Sequence, residues 1–277
     1  MLHVVATPIG NLDDISSRAR AVLQGVSVIA AEDTRHTRHL LEHLGVTAPL
    51  ISLHEHNETQ RSQELLARLE AGESVALVSD AGTPLISDPG YRLVAGARER
   101  GLTVTAIPGC CAAVAALSIA GLPTSRFHFE GFLPARAGTR RSRLDEMKAY
   151  PDTMVFYEAV HRVRETLDDL AQAFGDARPA FVARELTKLH ETGYHGTLAV
   201  VRAGLAADPG GDKGEFTLIV AGAPAAEPGQ AELERVVNIL AAELPAAQAA
   251  TLAARLTGAP RRAAYQLAVR AGSGGET

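Results

Sequence analysis

Five short β-branched runs, at residues 3–7, 26–31, 50–53, 74–79 and 104–108, are separated by gaps long enough for a helix. The gaps carry helical periodicity. Ile15, Ala19, Val22 and Leu23 share one face, Leu40, Leu41 and Leu44 another before Gly45, and Leu65, Leu66 and Leu69 a third before Gly72. Regular alternation of strand and helix calls for a mostly parallel sheet covered on both faces, so residues 1–122 are expected to form an α/β domain.

After Gly121-Leu122-Pro123 the pattern changes. Strand-like runs at 127–133, 153–157, 180–183, 197–202 and 215–221 enclose one clear helical pattern, 163–174. A second α/β domain with a mixed sheet is expected over 123–224. Residues 225–229 are rich in Ala, Pro and Gly, as a linker is, and lead into three short helical patterns punctuated by Pro245, Gly258 and Pro260. This appendix, 225–277, is either a packed cap or a helix-turn-helix with Arg261, Arg262 and Tyr265 early in its third helix. Residues 272–277 read as a frayed tail.

A chain of 277 residues that is 46% hydrophobic supports two such cores. Its formal net charge of −5 excludes a uniformly basic surface, so any contact with a polyanion must be local. No uninterrupted apolar run reaches the roughly 18 residues of a membrane span, and MLHVVATPIG has neither the basic nor the apolar part of an export signal. Cys110 and Cys111, the two cysteines, are adjacent and cannot form a disulfide framework. A reducing cytoplasm is the expected compartment.

In an open parallel sheet ligands gather beyond the carboxyl ends of the strands. The loops expected there hold Thr7 to Asp14, Glu32-Asp33-Thr34-Arg35-His36, His54-Glu55-His56-Asn57-Glu58, Ser79 to Gly90, and Pro108 to Cys111. Of these, Ser79 to Gly90 is the most suggestive: Asp80, Gly82, Thr83, Pro84, Ser87, Asp88 and Gly90 make a long small-residue loop that a ligand can approach closely. Two of the polar residues have a structural alternative, since Asp88 before Pro89 has the form of a helix cap and Thr34 can cap the next helix. His54-Glu55-His56 lacks a third ligand, so no metal is expected. Neither a P-loop nor a dinucleotide fingerprint follows a strand.

The strings VATPIGNLDDIS (5–16), IAAEDTRHTRHLL (29–41), SLHEHNE (52–58), VALVSDAGTPLISDPGYRLV (75–94), ALSIAGLPTSRFHFEGFLP (116–134), FYEAVHR (156–162) and RELTKLHE (184–191) resemble the small-subunit ribosomal RNA 2'-O-methyltransferase I family. The similarity runs in order from residue 1 to about residue 222. It implies the tetrapyrrole-methylase architecture: two α/β domains with S-adenosylmethionine in the cleft between them, usually as a homodimer. It further implies methylation of a cytidine 2'-hydroxyl in 16S rRNA at the decoding centre of the small ribosomal subunit.

By this resemblance Gly82-Thr83-Pro84, with Asp80 and Asp88 in the same block, Pro8 in the first-strand loop, and Cys111-Ala112 lie along the cofactor. Tyr157 and Glu158 close over it, with Ala183 and Arg184 at a nearby strand end. Cys110-Cys111 stands where the family commonly has another small pair, and Arg261 and Arg262 stand near the place of its C-terminal lysines. A base for the hydroxyl proton is expected among Asp33, His54, Glu55 and Glu185, each with an alternative as a cap or ion-pair partner. Arg35, His36, Arg38 and His39 on one helix, and Arg136, Arg140, Arg141 and Arg143 in a polar stretch between strands, are candidate RNA phosphate contacts; a solvated loop is the alternative for the second set. Two competing readings are a same-fold methyltransferase acting on a tetrapyrrole or other small molecule, and a non-catalytic ribosome-assembly factor that binds RNA.

Overall fold

The computed structural model describes residues 1–224 and 229–273. Residues Met1–Ala223 form one compact unit containing two five-stranded sheets, and Pro224–Thr277 form a second unit. The first sheet consists of β1 (Leu2–Val5), β2 (Val28–Ala31), β3 (Leu50–Ser52), β4 (Val75–Val78) and β5 (Val104–Ile107), in the order β3-β2-β4-β1-β5 and parallel throughout. Between the strands lie α1 (Ser17–Gly25), α2 (Thr34–Leu44), α3 (Glu58–Glu70) and α4 (Tyr91–Glu99).

Strand periodicity sorts the core. Val5, Ile29, Ala31, Ala76, Val78 and Ile107 face α1 and α2, whereas Leu2, Val28, Ala30, Val75 and Leu77 face α3 and α4. The α2 helix buries Thr37, Leu40, Leu41 and Leu44 and stops at Gly45, whose φ of 67° is the left-handed conformation that ends helices. Its cap is Asp33 rather than Thr34: the Asp33 carboxylate accepts from the Arg35 amide at 2.8 Å, and Thr34 is already the first helical residue.

The cap expected at Asp88 is also displaced. The α4 helix begins at Tyr91, and its free amides are met from another helix, with Glu58 Oε1 accepting from Gly90 N at 3.0 Å and Arg92 N at 2.9 Å. Glu58→Ala therefore leaves two donors without a partner. We expect it to lower stability by about 1–2 kcal/mol, seen as a lower urea midpoint with an unchanged slope.

Helix α5 (Ala112–Ile119) joins the two halves of this unit. The second sheet holds β6 (Phe127–Phe132), β7 (Thr153–Ala159), β8 (Pro179–Arg184), β9 (Thr192–Thr197) and β10 (Glu215–Val220), in the order β6-β7-β10-β8-β9. It is mixed, with β6 parallel to β7 and the remaining pairs antiparallel. On one face Val155, Phe181, Ala183 and Ile219 pack on α5; on the other Met154, Phe156, Val182 and Leu218 pack with residues of α6 (Ala137–Met147), α7 (Val163–Phe174) and α8 (Leu198–Ala207).

Two expectations change here. The run 197–202 is a helix start, not a strand: Thr197 caps α8 through its hydroxyl, and Leu198, Val201 and Leu205 form a buried helical stripe that overrides the β-branched Val200-Val201 pair. The edge strand is instead the more polar β9. The arginine-rich stretch is helix α6, whose buried face is Arg140, Leu144 and Met147.

The second unit contains α9 (Gln230–Ala241), α10 (Ala246–Thr257) and α11 (Arg261–Ser273) around a core of Leu233, Val236, Val237 and the alanines 249, 250, 253, 264 and 268. Gly258, with φ of 74°, ends α10. Residues 272 and 273 close α11 instead of fraying; residues 274–277 of the expected tail and 225–228 of the expected linker lie outside the described residues.

Candidate active site

Loops at the carboxyl ends of the first sheet are tied together by their own main chain. Thr7 and Gly82 form an antiparallel bridge, with Thr7 N donating to Gly82 O at 2.8 Å and Gly82 N to Thr7 O at 3.1 Å. Thr83 Oγ1 donates to Cys110 O at 2.9 Å, and Asp80 Oδ1 accepts from Asp33 N at 2.9 Å, so the loops after β1, β2, β4 and β5 share one network. Within it Gly82 has φ of 83°, and Leu85 and Ser87 both adopt φ of 72°, a conformation costly for residues with a side chain.

These loops and one face of the second sheet enclose a cleft of about 510 Å³, within the range of small-ligand sites. Asp80, Gly82, Thr83, Asp88, Cys111, Ala112, Tyr157, Glu158 and Ala183, all expected near the cofactor, are among its lining. Pro8 lines an adjoining cavity of about 310 Å³ with His36, His39 and Lys188, and Arg184 lines neither.

Strand alternation explains which side chains serve the cleft. Tyr157 packs on the α5 face, and its hydroxyl accepts from the amide of Ala113 at 3.1 Å, at the start of α5. Burial, then the neighbouring Cys111, pushes this phenol above its ordinary range. The next residue, Glu158, points to the opposite face, where its buried carboxylate accepts from Arg162 at 3.0 Å and Thr166 at 2.6 Å. Ala183 and Arg184 divide in the same way: the Arg184 guanidinium is buried on Gly210 O at 2.9 Å and beside Asp208 at 3.4 Å. Glu158 and Arg184 therefore brace the second sheet, and their side chains do not face the cleft.

None of the four expected bases offers a free carboxylate or imidazole to the cleft. The Asp33 carboxyl is held down to about 2 by hydrogen bonds from the Arg35 side chain and amide. His54 Nε2 meets the Asn57 side chain at 3.1 Å, and Glu55 is exposed outside the cleft lining. Burial pushes the Glu185 carboxyl up, but hydrogen bonds from Lys188 and the Glu215 amide outweigh it and hold the group below its usual range.

Glu32, directly after β2, is a cleft residue that sequence reasoning placed in a ligand loop but gave no role, and Phe132, Val160, Leu186, Glu215 and Phe216 are lining residues it did not place at the site. Burial and the charges of Asp88, Asp80, Glu55 and Asp33 raise the Glu32 carboxyl to about 7. Nearby Asp88 is raised to about 6, chiefly by burial, with Ser79 opposing and Asp80 adding to the shift. The only signal in the sequence was position: Glu32 directly follows a buried strand, one residue before the more conspicuous Asp33.

Of the arginines, Arg35 and Arg38 are exposed on α2 beside His36 and His39. Arg136, just before α6, and Arg141 on it are exposed, Arg141 within 2.9 Å of Asp169. Arg143 is clamped by Glu130 at 2.6 Å and Glu146 at 2.8 Å. Arg140 is only 1% exposed, with Nε 2.6 Å from Asp169. A buried, paired guanidinium cannot reach a phosphate, so the expected RNA contact at Arg140 is corrected to a structural ion pair.

A two-sheet α/β unit with a ligand cleft at the strand ends defines the tetrapyrrole-methylase class of methyltransferases. The family model described as Tetrapyrrole (Corrin/Porphyrin) Methylases matches residues 1–201, and the model described as RsmI C-terminal HTH domain matches residues 227–272. Among solved structures, a diphthine synthase superposes with a TM-score of 0.61 at 15% identity over 79% of this chain and 89% of that one. A Thermus thermophilus uroporphyrin-III C-methyltransferase complexed with S-adenyl homocysteine gives a TM-score of 0.54 at 17% identity over 79% and 96%. These likenesses establish the fold.

Curated relatives are far nearer in sequence. The ribosomal RNA small subunit methyltransferase I of Xylella fastidiosa strain Temecula1 is 54% identical over 265 residues, covering 95% of this chain and 97% of the relative. Its counterpart in Pseudomonas aeruginosa is 51% identical over 272 residues, covering 97% and 96%. The chain belongs to the ribosomal RNA small subunit methyltransferase I family.

Proposed function

We propose that this chain methylates the 2'-hydroxyl of a cytidine in 16S rRNA at the decoding centre of the small ribosomal subunit. The methyl donor is S-adenosylmethionine. The observation that carries the proposal is near-full-length similarity to the named methyltransferases combined with a cleft of about 510 Å³ at the sheet ends. The residues present fit the donor. A β-carbon at Gly82 would stand 3.3 Å from Ile9 Cγ2 and 3.5 Å from Cys110 O, so glycine keeps the cleft wall thin, and Ala81, Ala112 and Ala183 continue the small-residue lining. Carboxylates at the rim favour a cationic ligand over a neutral one.

The donor supplies an activated methyl group. Around it the protein has three tasks: to hold the reacting atoms in line, to exclude water, and to receive the hydroxyl proton. Gly82, Thr83, Cys111, Ala112 and Tyr157 hold; Phe132, Val160, Leu186 and Phe216 make the cleft apolar. Arg35, His36, Arg38 and His39 on one exposed helix surface are placed to meet RNA phosphates, joined by the exposed Arg136 and Arg141. Homodimerisation and a cytoplasmic location complete the proposal. No helix among the described residues is long and apolar enough to cross a membrane.

The test is transfer of labelled methyl from S-adenosylmethionine to small subunits purified from cells lacking this protein, followed by nuclease mapping. We expect label on a decoding-centre cytidine ribose. Label elsewhere, or none despite saturable cofactor binding, overturns the assignment of substrate.

A further inference from the structure

Apart from Glu158, whose side chain is turned to the other face of the sheet, four carboxylate residues line the cleft: Glu32, Asp80, Asp88 and Glu215. Asp80 holds the Asp33 amide, Asp88 faces the Ser79 hydroxyl, Glu158 is locked by Arg162 and Thr166, and Glu215 lies 3.2 Å from Lys188 Nζ. The Glu32 carboxylate has no hydrogen-bond or ion-pair partner among the described residues. Its backbone is nevertheless fixed, because its carbonyl accepts from Ser52 Oγ at 3.4 Å and β2 is paired on both sides.

We propose that Glu32 is the catalytic residue that accepts the proton of the methyl-accepting hydroxyl. The inference rests on the methyl-transfer function proposed above and adds the group that performs its proton step. In that step the hydroxyl oxygen forms the new C–O bond, the C–S bonding pair returns to sulfur, which leaves as a neutral thioether, and the hydroxyl proton passes to the Glu32 carboxylate. Charge balances: a sulfonium and a carboxylate become a thioether and a carboxylic acid.

The surroundings suit this role. Burial aside, the charges that raise Glu32 are acidic: Asp88 and Asp80 in the loop after β4, Glu55 after β3, and Asp33 before α2. A carboxylate crowded by like charges gains from taking a proton, and one raised to about 7 is still available near neutral pH. Each expected alternative fails on geometry, since Asp33, His54, Glu55 and Glu185 all stand outside the cleft lining, and the Asp33 and Glu185 carboxylates are in addition already hydrogen-bonded.

The decisive variant is Glu32→Gln, which keeps shape and removes the base. In single-turnover methylation of small subunits with saturating S-adenosylmethionine, we expect the rate to fall at least 100-fold. The wild-type rate should rise with pH along a limb at or below about 7, because the donor's positive charge opposes the upward shift, and the variant should lose that limb. Calorimetric affinity for S-adenosylmethionine should change less than threefold.

Folding gives an independent check on the variant. A carboxyl raised in the folded state stabilises fully below its unfolded value of 4.5 and loses that contribution as pH rises through about 7, so Glu32→Gln should melt higher than wild type at pH 8 and about equally at pH 4. A variant that binds cofactor normally and methylates within threefold of wild type overturns the proposal. So does a rate loss matched by an equal loss of cofactor affinity, which would make Glu32 a binding group. Failure of wild type to label subunits would instead count against the proposed substrate.

Discussion

Replacing Arg140 by alanine is expected to destabilise Met1–Ala223 by about 3–5 kcal/mol, the cost of removing one member of a buried ion pair. The guanidinium is 1% exposed, with Nε 2.6 Å from Asp169 and Nη2 3.5 Å from Glu165. Asp169 would keep Arg141 at 2.9 Å, but that side chain is 57% exposed and does not replace the buried Arg140 guanidinium. Arg141→Ala, which leaves the buried pair intact, should cost no more than about 1 kcal/mol. Urea denaturation monitored by circular dichroism measures both. Equal midpoints for the two variants would show that burial does not set the value of this pair. Replacing Arg140 and Asp169 together by Met and Leu should recover most of the loss, because neither charge is then left buried alone.

That ion pair marks where the sequence was hard to read. Four arginines within eight residues look like a solvated basic stretch, and no rule of hydrophobic periodicity places a guanidinium in a core. The partner, Asp169, sits in the middle of α7, 29 residues away, and only tertiary packing brings the two together. The run 197–202 was misread for a related reason. A short Val-Val segment fits either secondary structure, and the deciding burial of Leu198, Val201 and Leu205 with residues of α7 and β8 is not local.

The first sheet was legible because its inner strands β2 and β4 are wholly buried apolar runs and each strand is followed by polar loop residues, which is how parallel strands under two helical layers must look. The cleft was legible as a region for the same reason. Individual roles were not. Along a strand, neighbouring residues face opposite ways, so the motif containing Tyr157 and Glu158 places one side chain at the ligand and the other in the core. The same holds for Ala183 and Arg184. In the β2 loop Asp33 looked chemically active and is a cap, whereas Glu32, beside it, has the unpaired carboxylate.

Gly82→Val is expected to weaken S-adenosylmethionine binding roughly 30- to 150-fold. Gly82 has φ of 83°, and a β-carbon there would meet Ile9 Cγ2 at 3.3 Å. A β-branched residue held in this conformation costs about 2–3 kcal/mol, and 1.4 kcal/mol corresponds to tenfold in affinity. The chain has an inexpensive escape: opening the two-bond bridge to Thr7 lets residues 79–90 relax without disturbing β1 or β4. Strain that can be relieved locally is paid when the ligand requires the closed loop, so it appears as lost affinity more than as lost global stability. Calorimetry with the cofactor and urea denaturation of the same variant separate the two. Affinity should fall while the denaturation midpoint moves little. If instead stability falls by 2–3 kcal/mol and affinity is unchanged, the bridge between Thr7 and Gly82 belongs to the folding core, and the loop is held closed whether or not a ligand is present.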